Sequence, residues 1–158
     1  MNPASVNAEV FEKVKGVFGK IGLPKRSVDV DSGKLCIDSS ITLLNSKVGD
    51  FDVHLRIQME PETELILLGV TAGQNIPPGK LSVVRELLNE MNDRALIITH
   101  ASIHTDSKIP FITGSVRHRG ASLDEEELEK VLTEILDNAR LFFPLISEQL
   151  MHNFNILG

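Results

Sequence analysis

Phe51-Asp52-Val53-His54-Leu55-Arg56-Ile57-Gln58-Met59-Glu60 alternates apolar and polar side chains without a break. A period of two puts Phe51, Val53, Leu55, Ile57 and Met59 on one face of a strand and Asp52, His54, Arg56, Gln58 and Glu60 on the other. A strand with one apolar and one wettable face belongs to an antiparallel sheet, because parallel strands are covered on both sides and read as unbroken apolar runs. Downstream, Pro61-Glu62-Thr63 supplies a turn into Leu65-Ile66-Leu67-Leu68-Gly69-Val70, which is aliphatic on both faces and so predicts a central or interfacial strand. Upstream, Val28 and Val30 alternate with polar neighbours. Asp31-Ser32-Gly33-Lys34 then has turn chemistry, and Leu35 and Ile37 resume the alternation.

Helical spacing frames this sheet. From about Ser5 to Ile21, Val10, Val14, Val17 and Ile21, with Phe11 and Phe18 beside them, recur at three- and four-residue steps before Gly22 and Pro24 stop the helix. Leu81, Val84, Leu87, Leu88 and Met91 predict a second helix over about Lys80 to Asp93. Two strands follow, near Ala95 to His104 and Ile109 to His118, joined by Thr105-Asp106-Ser107-Lys108 at hairpin spacing. Ser122-Leu123-Asp124-Glu125 reads as a capping box opening a third helix. Its acidic first turn, Asp124 to Glu127, suits the positive end of a helix dipole. Leu128, Val131, Leu132, Ile135, Ala139, Phe142 and Ile146 form the apolar stripe; Pro144 should kink or split the helix, and the tail from Asn153 should fray. The expected fold is α+β, a mainly antiparallel sheet packed by three helices in the order α-β-β-β-β-α-β-β-α. It is read as one domain over residues 1–158.

Composition excludes more than it assigns. Of 158 residues, 42% are hydrophobic and 24% charged, a balance that folds around a core instead of staying disordered. Sixteen Lys and Arg against 22 Asp and Glu leave a net charge of -6, the wrong sign for a general nucleic-acid binder. Trp and Tyr are absent, so base-stacking platforms are scarce as well. One cysteine, Cys36, permits no internal disulfide and fits a reducing compartment. The longest aliphatic run falls far short of the roughly 20 residues that span a bilayer. With no secretory or lipidation signal recognised, the expectation is a soluble cytoplasmic protein.

The motifs that could carry chemistry fail on their own requirements. Gly73 to Lys80 stands between a strand and a helix, as a phosphate loop would. Yet five residues instead of four separate Gly73 from Gly79, Pro77 and Pro78 have no N–H to donate, and Leu81 stands where a hydroxyl is needed. His100 and His104, four apart on a strand, lie roughly 13 Å from each other and cannot share a zinc bound at about 2 Å. His54 with one of them remains conceivable as a sensor site. Cys36 and the serines have no activating neighbour in sequence and no G-x-S-x-G elbow exists. The carboxylates Asp124 to Glu127 and Glu129 are accounted for by the helix start and its solvated face. Arg117-His118-Arg119 reads as a small basic spot on the surface. No catalytic, cofactor-binding or metal-ligating residue is assigned, and no cofactor is expected.

Leu87-Leu88-Asn89-Glu90-Met91-Asn92, followed by the strand region Ala95 to Ile103, resembles the Leu-Asn, Asn and hairpin pattern of YbjN-like proteins. These are bacterial proteins labelled sensory transduction regulators, with a fold similar to class I type III secretion chaperones. The hairpin ending in Arg117-His118, the helix from Asp124 and Phe142-Phe143-Pro144-Leu145 agree with it. The resemblance implies an α+β, sandwich-like dimer without catalytic residues and transfers no site to any position here. Asn89 and Asn92, at a helix end, are explained by side-chain capping. The functional expectation is a non-enzymatic protein-binding module, chaperone-like or regulatory, acting as a homodimer with an unidentified protein partner and without nucleic acid or membrane. The alternative is a small-molecule or metal-binding sensor. Three helices can hardly cover both faces of such a sheet, so Leu65 to Val70 and Ala95 to Ile98 are expected to leave apolar surface for self-association, with residues in Leu65 to Val70 or the second helix contributing to the contact.

Overall fold

Every expected helix and strand region has a counterpart in the computed structural model, which describes residues 3–20, 29–30, 36–44, 49–60, 64–71, 75–119 and 122–157. The elements are α1 (Pro3–Lys20), β1 (Asp29–Val30), β2 (Cys36–Leu43), β3 (Phe51–Glu60), β4 (Leu65–Thr71), α2 (Leu81–Arg94), β5 (His100–Ile103), β6 (Pro110–Arg119), β7 (Ser122–Leu123) and α3 (Glu125–Leu157). A single 3-10 turn, Pro78–Lys80, leads into α2 where the phosphate loop was rejected. All pairings are antiparallel, in the order β1-β2-β3-β4-β6-β5, with the short β7 added to β6. Leu65 to Val70 is central, as its sequence demands: β4 has β3 on one side and β6 on the other.

The alternation in β3 decides which face is covered. Val53, Leu55, Ile57 and Met59 are buried and, in register, so are Ile66, Leu68 and Val70 of β4 and Ile112 and Val116 of β6. Val10, Val14 and Val17 of α1, Val84, Leu88 and Met91 of α2, and Leu128, Val131, Leu132, Ile135 and Ala139 of α3 join them in one core. Ile21 and the side chains of Phe11 and Phe18 lie outside the described residues, as do Val28 and residues 31–35 of the first hairpin. α3 comes close to the sheet at Gly114. A Cβ there would stand 2.6 Å from Val131 Cγ1 and 3.0 Å from Thr99 Cγ2, so glycine is what lets the helix seat.

Several boundaries differ from expectation, each for a physical reason. The third helix is not capped by Ser122, which is engaged in β7 opposite Arg119. Asp124 caps it instead, its Oδ1 accepting from the N–H groups of Glu126 at 3.1 Å and Glu127 at 3.2 Å. Pro144 does not split the helix. It withholds one N–H, but Phe143 and Ile146 beside it are buried, and that packing carries the helix on to Leu157, past the expected fraying at Asn153. The strand expected from Ala95 begins only at His100. Ala95 and Leu96 both donate their N–H to the Met91 carbonyl, closing the end of α2, and Ile97 to Thr99 are held by a side chain of α3. His118 is not part of a surface spot. Arg117 and Arg119 are exposed, but the alternation of β6 continues and turns His118 inward to 8% exposure, opposite Leu123.

Two substitutions test these assignments by chemical denaturation. Gly114→Ala should destabilise the fold by about 1–3 kcal/mol, since a methyl group would be forced against Val131. Asp124→Ala should cost about 1 kcal/mol, while Ser122→Ala should stay within about 0.5 kcal/mol of the parent. A larger loss at Ser122 than at Asp124 would return the cap to the sequence-based position.

Candidate functional site

The face of the sheet opposite the helices is assembled from the polar half of the alternation. Across it run His54–Thr71–Phe111, then Arg56–Gly69–Thr113–His100, then Gln58–Leu67–Ser115, each row drawn from neighbouring strands in register. Among the described residues no helix covers these rows. At their centre Gly69 contributes no side chain, so the sheet itself floors a hollow of about 880 Å³. Leu67 and Phe111 give it apolar surface, Arg56, His54, His100 and His104 give it nitrogen, and Ile97 and Ile98 rise at its border. His104 lies flat against Phe111, with ring centroids 4.2 Å apart and planes at 25°.

At the β2 side of this face, Asp38 holds three neighbours. Its Oδ1 lies 3.0 Å from His54 Nε2 and 3.9 Å from Arg56 Nε, and its Oδ2 accepts from Cys36 Sγ at 3.8 Å. Cys36 and then Asp38 hold the Arg56 guanidinium above even its usual high range, so it stays a cation. The trio of thiol, carboxylate and imidazole does not form a nucleophile–base pair, because Cys36 and His54 both turn to the carboxylate between them. Nor do the histidines converge. His54 on β3 and His100 on β5 are separated by β4 and β6, roughly 14 Å along the sheet, too far for one metal ion. Among the described residues no group of three or more His, Cys, Asp or Glu side chains is placed to hold a metal.

Two devices were invisible to local sequence reading. Asn92 does not cap α2. Its Nδ2 donates to the Ala101 carbonyl at 2.9 Å and its Oδ1 accepts from the Ala101 N–H at 2.7 Å, so one amide side chain stands in for a further strand at the edge of β5. Glu134 of α3 grips the segment before β5. Its carboxylate accepts from the N–H of Ile97 at 2.9 Å, the N–H of Ile98 at 3.0 Å and the Thr99 hydroxyl at 2.5 Å. Burial pushes this carboxyl upward, but the hydrogen bonds from Thr99, Ile97 and Ile98 outweigh it and leave it below the usual glutamate range. The result is an aliphatic prong: Ile97 is 89% exposed and Ile98 48%.

Residues 28–148 match the family model YbjN, described as "Putative bacterial sensory transduction regulator". No curated protein matches the chain. Among solved structures, a chain from the "Crystal Structure of the ExsC-ExsE Complex" is similar with a TM-score of 0.55 and 18% identity, over 89% of this chain and 95% of that one. At that identity the likeness is one of fold. It agrees with the α+β, secretion-chaperone-like architecture expected from sequence.

Glu134→Gln should destabilise by about 1–2 kcal/mol at pH 7, since the amide oxygen replaces a charged acceptor for three donors. A depressed carboxyl stabilises the fold above the unfolded-state value and loses that contribution as pH falls through the folded one. The gap between parent and variant should therefore be full at neutral pH and close as pH drops below about 4.3. A gap independent of pH between 7 and 3 would rule out the carboxylate as its source.

Proposed function

The chain belongs to the YbjN family, and we propose that it is a non-enzymatic protein-binding module, chaperone-like or regulatory, acting as a homodimer through its uncovered sheet face. The observation that carries this reading is the hollow on that face: broad, floored by Gly69 and bordered by the exposed Ile97–Ile98 prong. Wide surfaces mixing aliphatic and aromatic side chains with an arginine suit protein contacts, where a few such anchors dominate binding. The polar groups nearby are already engaged, Asp38 by His54 and Glu134 by the backbone, which supports binding over turnover. The structural relative was solved as a complex of two differently named proteins, which supports a protein partner here too.

No helix among the described residues is long and apolar enough to cross a membrane. The reading includes a cytoplasmic location, and the net charge of -6 argues against nucleic acid as the partner.

Leu68, within the run expected to self-associate, is no probe of this surface: at 1% exposure it faces the core. Leu67, its neighbour, is half-buried on the open face and lines the hollow. Light scattering behind a sizing column should give the mass of two chains at micromolar concentration for the parent. Leu67→Glu should shift it toward one chain with little change in melting temperature. Immobilised parent should also retain a protein from its native cell that Leu67→Glu does not. One-chain mass throughout, with equal capture by both, would defeat the reading. A melting shift caused by a small molecule, without any protein capture, would transfer the hollow to the sensor alternative.

A further inference from the structure

A smaller hollow of about 310 Å³ lies in the cleft between α2 and the edge strand β5. Arg85 and Asn89, one turn apart on α2, line it from one side, and Ser102, Thr105 and Lys108 line it from the β5–β6 hairpin. His100 and His104 border both this cleft and the hollow on the open face. Among the described residues no carboxylate lines the cleft, although the chain carries a net charge of -6. The acidic residues nearest in sequence, Glu86 and Asp106, are exposed and lie outside the lining. Nor are its cations neutralised. Arg94 on the same helix is paired with Glu90, and Arg140 with Asp137, but Arg85 and Lys108 have no ion-pair partner among the described residues.

The walls of the cleft are fixed. Asn92 ties α2 to β5 through both backbone groups of Ala101, at 2.9 and 2.7 Å. The hairpin is closed by the Lys108 N–H donating to the His104 carbonyl at 3.0 Å, and the Lys108 carbonyl accepts from the Ile76 N–H at 2.8 Å. Lys108 itself has φ 55, a left-handed conformation that glycine adopts at less cost. Closing the hairpin needs only backbone groups, which glycine would supply without strain. What lysine adds at this position is its side chain, a cation on the cleft. We propose that the cleft binds a phosphoryl group, as free phosphate or on a small monoester. A phosphoryl group presents three acceptor oxygens and up to two negative charges. The Arg85 fork can take two oxygens and the Lys108 ammonium another, with the Ser102 and Thr105 hydroxyls and the Asn89 amide as neutral donors. A carboxylate would leave several of these donors unused, and the volume limits the ligand to a small organic stem. The cleft is separate from the open face and does not depend on protein binding there.

Titration of inorganic phosphate and of glycerol phosphate into the intact chain, at constant ionic strength set by sodium chloride, tests the site. Saturable amide chemical-shift changes should concentrate in residues 85–92 and 102–108, and the melting temperature should rise with ligand. Tighter binding of glycerol phosphate identifies a monoester as the source, equal binding identifies free phosphate, and both support the phosphoryl site. Arg85→Ala and Lys108→Gly should each weaken binding by roughly 10-fold or more, as loss of a charged partner does. Lys108→Gly should do so with a melting temperature equal to or above the parent's, because the strain at this position is relieved. Arg94→Ala removes an exposed cation at the end of α2, outside the cleft, and should bind as the parent does. Absence of saturable binding, undiminished binding in Arg85→Ala or Lys108→Gly, or equal loss in Arg94→Ala overturns the site. Acetate binding as tightly as either phosphate overturns the assignment to a phosphoryl group.

Discussion

The contact between α3 and β6 at Gly114 is the constraint from which the rest of the molecule follows. Without a side chain there, Val131 and Ile135 lie directly on the sheet and the helix reaches Thr99 from above. That approach brings Glu134, one turn along the same helix, to the N–H groups of Ile97 and Ile98 and the Thr99 hydroxyl. A segment with the composition of a strand is thereby prevented from extending the sheet. Its backbone donors are satisfied by a carboxylate instead of by a neighbouring strand, and its aliphatic side chains are left facing water. The position of the exposed prong is thus set by a glycine on another strand.

The same one-sided packing defines the open face. Three described helices lie on the side of Leu55, Ile57 and Leu68, so the partners of the alternation, His54, Arg56 and Leu67, are left on the other. A sheet open on one face must also deal with its edges. At β5 this is done by Asn92, whose amide occupies both backbone groups of Ala101 and discourages unspecific strand addition there. With that edge occupied, the binding proposed for this chain falls to the face, where side chains and not backbone groups would decide the partner.

What was legible in the sequence was what depends on periodicity. Ten alternating residues gave β3, its buried side and its antiparallel partners; three- and four-residue spacing gave the three helices. Both signals are local, because a strand or helix repeats over a few residues whatever it packs against. What was illegible depends on a partner far along the chain. Nothing near Ala95 announces that residues 97–99 will meet Glu134, and nothing near Asn92 announces Ala101. The cap failed differently: Ser122 and Asp124 are both good capping residues two positions apart, and only the pairing of Ser122 with Arg119 removes it from the contest. The open face itself was half legible. Its outward residues on β3 were named, but the hollow needs Gly69, Thr113 and His100 in one row, and that register belongs to the whole sheet.

Function follows from which groups are left unengaged. Catalysis needs polar side chains aimed at a shared, sheltered point, with a base in contact with a nucleophile and donors waiting for developing charge. In this chain Asp38 is tied to His54, Cys36 and Arg56, Glu134 to the prong, Asn92 to the sheet edge and Asp124 to the start of α3. Each is engaged in holding the fold. What faces outward around the hollow is Leu67, Phe111, Ile97 and Ile98, with Arg56 and the histidines among them. Such a surface gains most by excluding water over a broad contact, and a rigid prong beside a rigid hollow loses little freedom in doing so. On the proposed reading the face offers Leu67, Phe111, Ile97 and Ile98 as water-excluding contacts among the polar side chains of Arg56, Gln58, Thr113 and the histidines, while Asp38, Glu134, Asn92 and Asp124 hold the fold around it.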